Sequence, residues 1–277
     1  MCRFTLYLGP SISLNSLLIE PTHSLIRQSI HSHEREEPLN GDGFGVGWYA
    51  QGQDLDPAVF RSITPAWNNR NLHNLARVIR SHCFLAHVRA ATLSSGVNEA
   101  NCHPFRFHQY LCMHNGDVGN FRKVRRQLLD SVCDDAFNQV FGSTDSEVLF
   151  AVIIDELLKT PAGEDSALAR ALGRAIQRVV AIVREYGDDE PSYLNIALTD
   201  GIHAAVSRYA NDPDGQPESL YYYCGELYHP VDANAAQGEV VVSSEKLTNA
   251  EGWIEVPPNH MVVLGLGKSP ELARCGP

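Results

Sequence analysis

Two long stretches with apolar residues at helical period, Thr144 to Leu157 and Asp165 to Tyr186, stand mid-chain between flanks of β-type alternation. That order constrains the fold more than any other feature. A period-2 segment belongs in a sheet, whereas a period-3.6 segment carries an apolar stripe that must be laid on something. Upstream strands are predicted at Cys2–Leu8, Phe44–Tyr49, Phe84–Val88 and Tyr110–His114. Downstream ones are predicted at Leu194–Leu198, Ile202–Arg208, Ser219–Cys224, Glu239–Ser243 and His260–Leu264. Shorter helices are expected within Ser13–Ile30, broken at Pro21, and over Asn71–Arg80. Asp200-Gly201 is a hairpin signal, and Asn211–Pro217 is a surface loop. Thr144 and Glu147 have capping-box spacing at the start of the first long helix, and Gly187 is a stop for the second. With no linker-like segment, the pattern predicts one layered α+β domain over residues 2–277.

The glycines of Phe44-Gly45-Val46-Gly47-Trp48-Tyr49 do not open a helix at the G-x-G-x-x-G spacing, so a strand is predicted and not a dinucleotide loop. A formal net charge of −11 argues against nucleic acid as a partner, and the basic run Arg122–Arg126 reads as a solvated helix face. The strongly apolar runs, such as Val179–Val183, are too short for a membrane span, and the N-terminus has no cationic-then-apolar leader. Seven irregularly spaced cysteines suit reduced thiols. A cytoplasmic protein is therefore expected.

The second residue is a cysteine. Initiator methionine is generally trimmed before a small side chain, and Cys2 would then carry a thiol and a free α-amine together. An α-amine titrates at about 8 and a thiol at about 8.5, so the amine can take the thiol proton without help from histidine. Three more clusters carry chemistry: His87-Val88-Arg89-Ala90-Ala91-Thr92 followed by Asn101-Cys102-His103-Pro104; His114-Asn115-Gly116-Asp117; and Ser143-Thr144-Asp145-Ser146-Glu147. Each has an ordinary reading. Asn115-Gly116 suits a type I′ turn, Asp145 a helix start, Arg89 a surface ion pair and His103 a hydrogen-bonded loop residue.

Taken with Cys2, the order and spacing of these clusters resemble the class II glutamine amidotransferases of the N-terminal-nucleophile hydrolase superfamily. The likeness is closest to a small standalone bacterial subfamily, and it extends to Val241–Glu245 and Trp253–Pro258. The resemblance implies a four-layer αββα sandwich with two mainly antiparallel sheets. It implies hydrolysis of a γ-glutamyl amide through a Cys2 thioester, releasing glutamate and ammonia or a small amine. Asn115 and Gly116 would form the oxyanion hole, Arg89 and Thr92 would hold the substrate α-carboxylate, Asp145 its α-ammonium, and His103 would line the site. The tryptophan and histidine found beside the arginine and threonine in larger family members are replaced by Ala90 and Leu93. No cofactor or metal is expected. No synthase module is recognisable, so a separate ammonia-accepting protein is an expected partner.

Two rival readings stay open at this level. A relative acting on a γ-glutamyl thiol peptide or an ergothioneine-pathway intermediate would use the same head-group residues. A non-catalytic scaffold or metal-binding module would account for the crowding of His82, Cys83, His87, Cys102, His103, Cys112 and His114, although their spacing matches no zinc signature. His31-Ser32-His33 is a thinner hint of the same kind.

Overall fold

A computed structural model describes residues 2–32, 39–50, 56–90, 96–161, 166–212, 215–225 and 238–276. In chain order it contains β1 (Arg3–Ser13), α1 (Asn15–Leu18), α2 (Leu25–Gln28), β2 (Phe44–Trp48), β3 (Ala58–Ser62), α3 (Arg70–Val78) and β4 (Arg80–Val88). Next come β5 (Phe105–Phe107), β6 (Tyr110–Asp117), α4 (Phe121–Asp130), α5 (Asp134–Phe137), α6 (Asp145–Leu158) and α7 (Ala167–Tyr186). The rest is β7 (Tyr193–Thr199), β8 (His203–Arg208), β9 (Tyr221–Cys224), β10 (Val240–Ser243), β11 (Ile254–Glu255), β12 (His260–Gly265) and β13 (Glu271–Arg274). One sheet has the order β11-β9-β10-β1-β4-β2-β3 and the other β13-β12-β8-β7-β6-β5. All their strand pairs are antiparallel.

Three separate apolar clusters fill the three gaps between four layers. Tyr7, Phe44, Phe84 and Val88 pack with Leu17, Leu25 and Leu72 between the first sheet and helices α1–α3. Phe4, Leu6 and Leu85 meet Leu111, Met113 and Val262 between the sheets. Cys112, Ile196 and Leu198 pack under Val152, Ile153, Ile176 and Val183 of α6 and α7. The fold is thus the αββα sandwich, and it is α+β.

This layering explains why the alternation is muted in burial. Arg3 and Thr5 look like solvent-face residues of a half-exposed strand, yet they are 2% and 0% exposed because a helical layer covers that face. Thr5 instead meets its register partner Ser243, hydroxyl to hydroxyl at 2.9 Å. In β2 the large residues face the helices and the glycines face the second sheet. A Cβ on Gly45 would lie 2.1 Å from the His103 carbonyl oxygen, and one on Gly47 would lie 2.8 Å from Leu111 and Pro104. The small residues admit the His103-Pro104 segment between the sheets.

Helix α6 is buried on every side, flanked by α4, α7, β5 and β6, whereas α7 buries a single stripe. Thr144 caps α6 by accepting from the Glu147 N–H at 3.3 Å. The reciprocal half of the capping box does not form. The Glu147 carboxylate turns to the N–H groups of Phe141 and Gly142, at 2.7 and 2.6 Å.

Other differences from the expected elements are at boundaries, in short strands and in the one-turn helix α5, for which no element is expected. Strand β4 starts at Arg80, where the helix was expected to end, because Ser81 and Arg80 pair with Ile12 and Ser13. Strands β3, β5, β11 and β13 carry no strong pattern of their own and exist by pairing at sheet edges. Asn115-Gly116 is not a turn: both residues are in β6, opposite Asn195 and Leu194. The expected start of the second long helix at Asp165, residues 213 and 214 of the 211–217 loop, and His33 lie outside the described residues. No described helix is long and apolar enough to cross a membrane.

Candidate active site

The site is assembled where β1 and β4 begin and end against β6. The register Arg3↔Val88 places Cys2, just before β1, beside Arg89 and Ala90, just after β4. The half-buried Cys2 Sγ donates to the Ala90 carbonyl at 3.7 Å. Strand alternation sends Phe4, Leu6 and Leu8 of β1 into the space between the sheets, and Cys2 shares their parity. Leu111 and Met113 of β6 face the same space from the other sheet, and Asn115 shares theirs. The nucleophile candidate and the Asn115 amide therefore converge on one interlayer space.

Asn115 is 1% exposed, and neither amide atom has a hydrogen-bond partner among the described residues. Burying an unpaired amide costs about 1–3 kcal/mol, so the group is a candidate donor and acceptor for a ligand. The Gly116 backbone is released by the sheet itself. Leu194, opposite Gly116, donates its N–H to Tyr209, away from β6. In an antiparallel ladder this makes Gly116↔Leu194 a non-hydrogen-bonded pair, so the Gly116 N–H points away from β7. On that side β5 has already ended at Phe105↔Cys112. His114, two residues earlier with the same parity, indeed offers its carbonyl outward, to His87 Nε2 at 3.2 Å. Only glycine fits at 116: its φ is +145°, and a Cβ would lie 1.9 Å from the Tyr193 carbonyl oxygen.

Arg89 is 4% exposed, not a surface residue. Its backbone is pinned by exchange with the 42–43 turn, donating to Gly43 at 2.9 Å and accepting from Asp42 at 3.1 Å. Asp145 is the first residue of α6, and its carboxylate is aimed by the N–H groups of Val118 (3.0 Å) and Ser146 (2.8 Å). A link invisible in the sequence stands behind it. The Ser146 hydroxyl lies 2.9 Å from His114 Nδ1 and 3.4 Å from Asp145, and the other His114 nitrogen reaches the Tyr193 carbonyl. Thr92 lies outside the described residues.

Burial pushes the Cys2 thiol up from its ordinary range, with the Arg89 cation pulling down and the Asp145 carboxylate pushing up. His87 and His103 stack at 4.2 Å, and His103 also packs on Phe105. Both His103 nitrogens and His87 Nδ1 lack partners among the described residues. Burial, aided by neighbouring positive charge at Arg89, lowers His87 to about 3 and His103 well below the usual histidine value. Both rings are neutral, which suits a lining role rather than a proton-carrying one. Among the described residues no group of three His, Cys, Asp or Glu side chains is placed to hold a metal ion.

The buried neutral rings make stability pH-dependent. The unfolded chain protonates each histidine near 6.5, whereas the folded chain does not until pH has fallen much further. Stability is full above pH 6.5 and falls by about 1.4 kcal/mol per pH unit for His87 as pH drops towards 3, with His103 acting in the same direction. Urea unfolding at pH 7.5, 6 and 5 should show this slope, and His87→Asn should flatten it. An unchanged slope would mean that His87 titrates in the folded state.

Comparison with known proteins gives the family. The model of the family described as glutamine amidotransferases class-II matches residues 24–211. A probable glutamine amidotransferase of Saccharomyces cerevisiae, DUG3, is 38% identical over 95% of this chain and 82% of its own length. The γ-glutamyl-hercynylcysteine sulfoxide hydrolase of Mycobacterium tuberculosis is 30% identical over 95% of this chain and 92% of its own. Among solved structures, a glutamine aminotransferase class-II domain protein of Silicibacter pomeroyi superposes with a TM-score of 0.70 at 29% identity, covering 100% of both chains. On sequence, fold and relatives alike, this chain belongs to the class II glutamine amidotransferase family and is an amidohydrolase.

Proposed function

We propose that the chain, acting as one domain over residues 2–277, hydrolyses a γ-glutamyl amide through a thioester on Cys2. The observation that carries this reading is the buried Asn115 amide, without a hydrogen-bond partner among the described residues, at the inward strand parity that Cys2 shares from the other sheet. Once Met1 is removed, the α-amine of Cys2 takes the thiol proton and the sulfur attacks the γ-carbonyl carbon. The carbonyl oxygen becomes an oxyanion and accepts from Asn115 Nδ2 and the Gly116 N–H. The C–N bond then breaks, the ammonium of Cys2 returns its proton to the departing amine, and a thioester remains. Water, deprotonated by the same amine, releases glutamate and free thiol. Arg89 suits the substrate α-carboxylate through its planar fork, and Asp145 suits the α-ammonium. Thr92 completes the carboxylate contact in this reading, and His103 shapes the wall.

Glutamine is the simplest substrate of this kind, and a γ-glutamyl amide with a larger leaving group is the second reading. It draws on the mycobacterial relative's name and on a cleft of about 600 Å³ lined by Gly116, Asp117, Arg122, Arg125, Thr144 and Asp145. If ammonia is the product, a separate protein accepts it, and the cytoplasm is the compartment we assign.

Intact-mass measurement before and after incubation with 6-diazo-5-oxo-L-norleucine tests the proposal. Loss of Met1 and one stoichiometric adduct on Cys2 are expected. Retained Met1 with no adduct would defeat it.

A further inference from the structure

Cys2 precedes the first ladder pair of β1, and in the trimmed chain nothing upstream holds it. Its carbonyl is nevertheless held. Arg3 Nη1 donates to the Cys2 carbonyl oxygen at 2.9 Å, Arg3 Nη2 donates to Ser32 Oγ at 2.9 Å, and Arg3 Nε donates to Glu245 Oε1 at 2.6 Å. Ser32 in turn donates to Glu245 at 2.5 Å, closing a ring of three side chains. Arg3 and Glu245 are each 2% exposed, so this is a buried ion pair behind the nucleophile on the helix-covered face of the first sheet. The segment carrying Glu245 is itself tied to β1. Ser244 N donates to the Phe4 carbonyl, and Ser244 Oγ accepts from the Phe4 N–H, both at 3.0 Å.

A buried ion pair is a poor stabiliser relative to packed apolar side chains, because two charges must be desolvated. Its geometry here suggests another use. One arm of a rigid planar fork is spent on the carbonyl of the preceding residue, and the other two nitrogens are locked by partners 29 and 242 residues away. Fixing that carbonyl fixes the plane of the Cys2–Arg3 peptide, and with it the place of the Cys2 Cα. It thereby sets where the reactive residue, with its α-amine and Sγ, stands relative to the oxyanion donors.

We infer that Arg3, locked by Glu245 and Ser32, positions the nucleophile; the inference rests on the reading of Cys2 as that nucleophile. Arg3 is a positioning residue that acts through Cys2 and touches no substrate. Because head-group capture by Arg89 and Asp145 is separate, loss of the lock lowers kcat and leaves KM nearly unchanged. Misplacing a reacting group by about 1 Å costs on the order of 100-fold in rate.

The test uses the processed full-length enzyme, its N-terminus verified by mass, with glutamine turnover and the rate of 6-diazo-5-oxo-L-norleucine labelling as readouts. E245Q is expected to lower kcat about 10- to 100-fold with KM within about two-fold. S32A should give a smaller loss in the same parameter, and R3K should recover part of the activity that R3M loses. The labelling rate should fall in parallel with kcat. If R3M fails to fold, E245Q and S32A carry the test. Wild-type kcat and labelling in folded E245Q and S32A, with only a lowered Tm, would overturn the inference and leave Cys2 as nucleophile. Failure of the wild-type protein itself to label at Cys2 would overturn both.

Discussion

Cys2→Ser is expected to lower turnover by roughly 1,000-fold or more while leaving the fold unchanged. Serine is nearly isosteric, and the sulfur's one hydrogen bond among the described residues, a long one to the Ala90 carbonyl at 3.7 Å, is too weak for its loss to disturb the fold. It is also small enough for Met1 to be removed, so the α-amine remains. What is lost is the proton balance. A thiol at about 8.5 is matched to an amine at about 8, whereas a hydroxyl is a much weaker acid that this site, shaped around a thiol, is not set up to deprotonate. Burial already pushes the thiol upward, so the margin for a poorer acid is small. The measurement is glutamate release from glutamine, alongside a thermal melt and an intact mass. Turnover within ten-fold of wild type, in protein shown to be processed and folded, would remove Cys2 from the chemistry.

The second large effect is expected at Asn115. Asn115→Ala should lower kcat about 100- to 1,000-fold, the usual consequence of removing one preorganised oxyanion donor. Its effect on stability should be small, within about 1 kcal/mol. The native amide is buried with no hydrogen-bond partner among the described residues, so the lost volume is offset by relief of a desolvation penalty of about 1–3 kcal/mol. A structural asparagine would behave in the opposite way, with stability falling and kcat per folded molecule unchanged. Urea unfolding together with steady-state kinetics separates the two. The pairing also distinguishes Asn115 from its β7 neighbour Asn195, whose amide donates to the Glu218 carbonyl at 2.9 Å and is therefore structural.

What could be read from the chain alone varied with how local each feature is. The capping of α6 by Thr144 was legible because it depends on residues three apart. The Glu147 carboxylate was not, because it serves Phe141 and Gly142, whose positions depend on the loop before the helix. The glycines of β2 were recognised as strand residues, but their reason is the His103-Pro104 segment lying against them from a distant part of the chain. Asn115-Gly116 has the composition of a turn, and the ladder to β7 overrides it. The link between Ser146 and His114 carries no signal in the sequence, since the two residues stand in separate clusters and meet only under Asp145.

The amino-acid sequence by itself determined the nucleophile candidate, the order of the four clusters and the alternation of strand and helix that demands layered packing. These follow from side-chain chemistry and from periodicities of 2 and 3.6, both of which are local. The tertiary structure alone decided that Cys2 stands beside Ala90, that the Asn115 amide is buried with no hydrogen-bond partner among the described residues, and that Arg3 is locked by Glu245. Those arrangements depend on registers between strands up to 240 residues apart. A shift of one residue in any such register would turn the side chains concerned to the opposite face.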